Sequence, residues 1–145
     1  MSYLFFHLAF PILNLSQAKD FYVEGLGCQI GRETSMSLIL NLYNHQIVAH
    51  LTPEPLPRQK GVYPRHFGLI FLEESDWEAL LKRGQNNQLN FYSPPKRRFI
   101  GTPIEHHTFF LEDPFFNLLE FKFYCQPEAI FGGHDFPSIG DRLLE

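Results

Sequence analysis

A proline-dense stretch over residues 52–64 divides the chain, and this break limits the fold more than any other feature. It holds Pro53, Pro55, Pro57, Gly61 and Pro64. Proline fixes φ and lacks an amide donor, so neither a helix nor a central strand runs through such a segment. On each side the same succession of elements can be read. Before it, a strand over residues 3–10 contains His7 and ends at Pro11. A helix follows, capped by Ser16, with Ala18, Phe21, Tyr22 and Leu26 at helical spacing and Gly25 and Gly27 at its end. Strands are expected near residues 28–32, 37–42 and 46–51, the last two joined as a hairpin through Tyr43, Asn44 and His45.

After the break the plan repeats. A strand starts at His66. Ser75 caps a helix over about residues 76–84, with Trp77, Leu80 and Leu81 turned inward. Phe91 and Tyr92 form a short strand before Pro94-Pro95, and residues 106–111 and 117–124 form a hairpin around Asp113-Pro114. One such unit cannot cover both its helix and its sheet, whereas two can pair. The expected fold is α+β: two βαβββ modules paired into a curled mixed sheet that encloses a groove. The expected organisation is a single domain over residues 1–145. It comprises module 1 (about 3–52), a linker (about 53–64), module 2 (about 65–125) and a tail (126–145) on the surface or over a neighbouring subunit.

The outer limits come from composition. A chain of 145 residues with 44% hydrophobic residues is long enough for a core, and its 16 phenylalanines make that core aromatic. The net charge is −4, and Lys96-Arg97-Arg98 is the one basic run, which argues against a nucleic-acid partner. No apolar run approaches the roughly 18 residues of a membrane span. The N-terminus lacks the charged segment and cleavage site of a signal peptide. Two cysteines, Cys28 and Cys125, do not make a disulfide framework, so reduced thiols and a cytoplasmic location are expected.

Three polar residues interrupt apolar, strand-like runs. His7 sits in Phe5-Phe6-His7-Leu8-Ala9-Phe10, His66 opens His66-Phe67-Gly68-Leu69-Ile70-Phe71, and Glu120 lies in Leu118-Leu119-Glu120-Phe121-Lys122-Phe123. Two imidazoles and one carboxylate can hold a divalent metal and leave positions open. Sharing one cation would also relieve the cost of burying each polar group alone. His50, in the last strand of the first unit, is a candidate ligand, a group that positions substrate, or, as an alternative to His106, the acid–base imidazole. His106 and His107 are adjacent and point to opposite faces, so one of them, His106, can face the groove as acid or base. Tyr124 shares a face with Glu120 and Lys122. It either donates to substrate or marks the sheet margin. Lys122 is an anion partner or a residue at the rim. Arg98 is a clamp for a substrate carboxylate or a solvated loop charge. His45 serves the turn, and His134 lies in the tail.

A family resemblance rests on Phe6-His7-Leu8-Ala9-Phe10-Pro11, on Ala18-Lys19-Asp20-Phe21-Tyr22 with Leu26-Gly27-Cys28, and on His45-Gln46-Ile47-Val48-Ala49-His50-Leu51. It continues in Pro64-Arg65-His66-Phe67-Gly68, Phe109-Phe110-Leu111-Glu112-Asp113-Pro114 and Asn117-Leu118-Leu119-Glu120-Phe121-Lys122. Together these runs resemble the vicinal oxygen chelate superfamily of glyoxalases, extradiol dioxygenases, fosfomycin-resistance enzymes and bleomycin-binding proteins. They are most similar to its small extradiol-type dioxygenases. The resemblance implies paired βαβββ modules and a metal on His7, His66 and Glu120, most often iron(II), with Zn, Ni or Mn as alternatives. It further implies a small vicinal-oxygen substrate such as a catechol, and a homodimer. A glyoxalase-like lyase or isomerase, and a protein that sequesters a planar ligand, are the competing functions. One departure stands out: the family's Asp-Pro-x-Gly-Asn turn is here Asp113-Pro114-Phe115-Phe116-Asn117, without glycine.

Overall fold

Strand alternation builds two sheets. In the computed structural model, which describes residues 3–140 and 142–143, each half of the chain forms its own four-stranded sheet. The first contains β1 (His7–Ile12), β2 (Gln29–Glu33), β3 (Ser37–Leu42) and β4 (His45–Leu51), in the order β1-β4-β3-β2. The second contains β5 (Phe67–Phe71), β6 (Phe91–Arg98), β7 (His106–Glu112) and β8 (Leu118–Tyr124), in the order β5-β8-β7-β6. First and last strands pair in parallel in both modules, and the remaining pairs are antiparallel. The repeat expected from the sequence is therefore present. A two-stranded ribbon of β9 (Ser138–Ile139) and β10 (Arg142–Leu143) lies in the tail.

Local chemistry explains most boundaries. The β3–β4 hairpin turns at Tyr43 (φ 50°) and Asn44 (φ 70°), two successive left-handed residues whose twist suits a two-residue hairpin loop. The Asn44 amide donates to Asn41 Oδ1 at 2.7 Å. Four expectations need correction. β1 begins at His7 and continues through Pro11, because an edge strand tolerates a missing amide donor. For the same reason β6 is eight residues long and contains Pro94-Pro95, with an irregular ladder to β7. The first helix, α1 (Leu15–Lys19), is capped by Asn14 rather than Ser16. Asn14 Oδ1 accepts from the Gln17 amide at 2.8 Å, and the helix runs on as a π-helical segment over Asp20–Gly25. The second helix, α2 (Glu74–Asn86), starts before Asp76 and makes no side-chain cap at Ser75.

One core joins the modules. Phe10, Ile12, Tyr22, Leu38 and Leu40 from the first meet Trp77, Leu80, Phe109, Leu111 and Phe121 from the second. Full burial of such a side chain contributes about 1.5–3 kcal/mol. Polar ties cross the same seam. The Tyr22 hydroxyl donates to Asp113 Oδ2 at 2.6 Å, and Asn117 Nδ2 donates to the Pro11 carbonyl at 2.9 Å. Burial raises the pKa of both Tyr22 and Asp113, even though Asp113 accepts four hydrogen bonds. Arg83 of α2 donates to the carbonyls of Glu24 and Gly25.

Two features of this arrangement govern the site. The tail packs on its own second sheet, where residues 129–140 face Phe99, His106, Lys122 and Tyr124. The segment before β1 is uncovered: Tyr3 is 96% exposed and Phe6 59%.

Candidate metal centre

β8 sets out the second sheet's polar row. Alternation puts Glu120, Lys122 and Tyr124 on one face, and the ladder to β7 sets Phe110, Thr108 and His106 opposite them. His66 precedes β5, the strand parallel to β8, and Gly68 lies directly opposite Glu120. A Cβ at Gly68 would overlap the Glu120 carbonyl, so only glycine lets β5 approach this closely.

His66 and Glu120 meet in this corner. His66 Nδ1 is 2.6 Å from the Val62 carbonyl, which fixes that nitrogen as the donor. Its Nε2 then faces Glu120 Oε1 at 3.2 Å. The other carboxylate oxygen, Oε2, accepts from the buried Thr108 hydroxyl at 2.5 Å. The hydrogen bond to Glu120 raises the His66 pKa against the opposing effect of burial. Burial pushes Glu120 upward, but the bond from His66, the Lys122 charge and the Thr108 bond together hold it below the ordinary carboxylate range. His66 Nε2 and Glu120 Oε1 thus point at one another as a nitrogen–oxygen donor pair. An N,O donor pair with its outer bonds already made suits a divalent cation.

His7 is not part of this corner. It is exposed on β1, the edge strand of the other sheet, with Nδ1 2.6 Å from Gln46 Oε1. Among the described residues, its ligand atoms do not join those of His66 and Glu120 in a group within 4.8 Å of one another. His50 is also exposed on the first sheet and pairs with Pro11. It stands four residues along β4 from Gln46, the partner of His7, or about 13 Å. The three-residue group that does fall within 4.8 Å is Glu105, His107 and Cys125. There His107 packs edge-on against Trp77 at 5.4 Å, and Glu105 is already held by Arg97 and the Gly101 amide.

The remaining candidates line the far end of the polar row. His106 is 3% exposed, with Nδ1 3.0 Å from the Ile104 carbonyl, and its ring lies 4.8 Å from that of Tyr124. Lys122 carries Nζ over the Tyr124 ring at 4.8 Å. Arg98 pairs with His106 in the ladder and stacks over Phe99 at 5.4 Å. Sequence reading missed Thr108, Gly68 and the Val62 carbonyl. Thr108 was within reach, because it alternates with His106 on one face of β7. The Val62 carbonyl was not, because it belongs to an irregular segment.

Comparison with known proteins agrees with this architecture. The family model described as "Glyoxalase/Bleomycin resistance protein/Dioxygenase superfamily" matches residues 4–121. The chain belongs to that superfamily. A crystal structure of a glyoxalase/bleomycin resistance protein/dioxygenase from Alicyclobacillus acidocaldarius is 40% identical, with a TM-score of 0.83 over 88% of this chain and 96% of that one. The fosfomycin resistance protein FosX from Listeria monocytogenes shares the fold at 13% identity, with a TM-score of 0.67 over 89% and 99% of the two chains. An integron cassette protein from V. cholerae does so at 20% identity and 0.58, over 86% and 97%. No curated protein sequence matches the chain. No described helix is long and apolar enough to cross a membrane. In this superfamily chain the turn lacking glycine is completed by Phe116 at φ 68°.

Proposed function

We propose that this protein is a metal-dependent enzyme of the extradiol dioxygenase type acting on a small vicinal-oxygen substrate. Its metal is held by His66 and Glu120 of one copy and His7 of a second. The observation that carries the reading is the His66–Glu120 pair, with each outer atom already bonded and the inner atoms 3.2 Å apart. The second copy is inferred from the exposure of His7 on an edge strand and of the aromatic segment before it. Bare strand edges and clustered exposed apolar residues call for a partner. A twofold pair would give two equivalent sites.

His66 and Glu120, with His7 of the second copy, would hold a divalent ion that would supply Lewis acidity toward the substrate oxygens, and iron(II) would add oxygen chemistry. The chain's own part is orientation. Val62 holds the His66 ring, Thr108 holds Glu120, and Phe110, edge-on to His66 at 5.1 Å, forms a wall. Of the two imidazoles considered as acid–base groups, His50 is exposed on the other sheet, and His106 lies on the sheet of Glu120 but four residues along it, about 13 Å, so it faces the distal part of the substrate rather than its metal-bound end. The distance of His50 from His7 also weakens the four-ligand, glyoxalase-like reading.

The test is oxygen uptake with a catechol panel after anaerobic iron(II) loading. Uptake that is lost in Glu120→Ala supports the reading. Turnover of a hemithioacetal without oxygen uptake would replace it with the lyase.

A further inference from the structure

Beyond Glu120 the polar row runs into a cavity of about 310 Å³, roofed by residues 129–134, 136 and 138–140. Its floor is Phe99, Ile104, His106, Lys122 and Tyr124. Among the described lining residues there is no carboxylate. Lys122 lines it, with Nζ over the Tyr124 ring. His106 Nδ1 is committed to the Ile104 carbonyl, so its Nε2 carries a lone pair, and that atom is buried without a hydrogen-bond partner. A buried polar atom left unpaired costs free energy, and a ligand donor would remove the cost. Burial, with Lys122 and Arg98 nearby, lowers the His106 pKa, which favours the neutral ring. Beside the imidazole of His134 and the hydroxyl of Ser138, the cavity therefore offers the Lys122 cation, the unpaired His106 Nε2 and aromatic walls. Lys122 is two residues from Glu120 along β8, about 7 Å, so a molecule held at the metal corner reaches it directly.

We infer that the substrate is an organic acid whose anionic group meets Lys122 Nζ, between vicinal oxygens at the metal corner and a separate hydroxyl that donates to His106 Nε2. This deepens the proposed function and rests on it for the metal-bound end of the substrate only. The anion site itself can be read without metal.

The probes are 3-(4-hydroxyphenyl)propionate and its neutral amide, titrated calorimetrically into metal-free protein. A charge-assisted hydrogen bond predicts that the acid binds about tenfold or more tightly than the amide. The preference should vanish in Lys122→Met and persist in Lys122→Arg, which keeps the charge and reports correct folding. His106→Phe should weaken both probes alike. Equal binding of acid and amide, no binding of either, or a preference that survives Lys122→Met would overturn the inference. The same pair is then compared with 3,4-dihydroxyphenylacetate on metal-loaded protein. Lys122-dependent binding of acids, with no gain from metal or from the second ring oxygen, would leave the anion site standing and remove the metal-chelate reading.

Discussion

His66 and Glu120 face each other at 3.2 Å across the parallel β5–β8 edge, and neither is free to turn away. Val62 holds the far nitrogen of the ring, and Thr108 holds the far oxygen of the carboxylate. Groups that orient a ligand from behind typically change metal affinity by about 10–100-fold. Thr108→Val keeps the shape and removes the hydroxyl. It should lower metal affinity by about tenfold while leaving the fold intact, as read by metal titration and circular dichroism.

Gly68 allows that edge to close. Gly68→Ala would drive a methyl group into the Glu120 carbonyl and push β5 from β8. Chemical denaturation should show a loss of about 1–3 kcal/mol, the range for overpacking, together with weakened metal binding.

The Tyr22–Asp113 bond ties the first helical region to the turn between β7 and β8. Tyr22→Phe removes a buried hydrogen bond to an acid, although Asn117 still donates to the same oxygen. Equilibrium unfolding should fall by about 1–2 kcal/mol.

Acid pH should expose His106. Its folded pKa is depressed, so the unfolded chain binds the extra proton first. The stability this withholds is fully present above the unfolded histidine value of about 6.5 and is lost as pH falls from there through the folded value. His66 acts in the opposite sense: its raised pKa adds stability at low pH that is lost as pH rises through its folded value. The comparison is therefore wild type against His106→Gln, both metal-free. The variant should lose less stability than wild type between pH 7 and pH 5, measured by thermal melts. Lys122, Arg98 and Glu120, which bear on the ring, are common to both.

The module repeat was legible because alternation and turn chemistry are local: residues 37–42 appear as the sequence implies, and the turn falls at Tyr43-Asn44, with His45 already in β4. β6 was not, because Pro94-Pro95 signals a break unless the strand lies at an edge, and edge position is a tertiary fact. Asn14 won the cap from Ser16 through one hydrogen bond that spacing could not rank. The missing turn glycine was visible, but not that Phe116 would itself take the left-handed conformation. Within the site, His66 and Glu120 were findable as polar residues in apolar strands. The position of His7 was not, because the placement of β1 at the edge of the other sheet is a tertiary fact.

That edge provides the most direct measurement. Metal content is determined for wild type, for His7→Ala, for Glu120→Ala, and for the two variants co-expressed. With the ligands divided between copies of a twofold dimer, each variant alone should hold almost no metal. The co-expressed mixture should regain about a quarter of the wild-type content, because half the dimers are mixed and each carries one intact site. Undiminished metal in His7→Ala, or none in the mixture while wild type is loaded, would contradict the account.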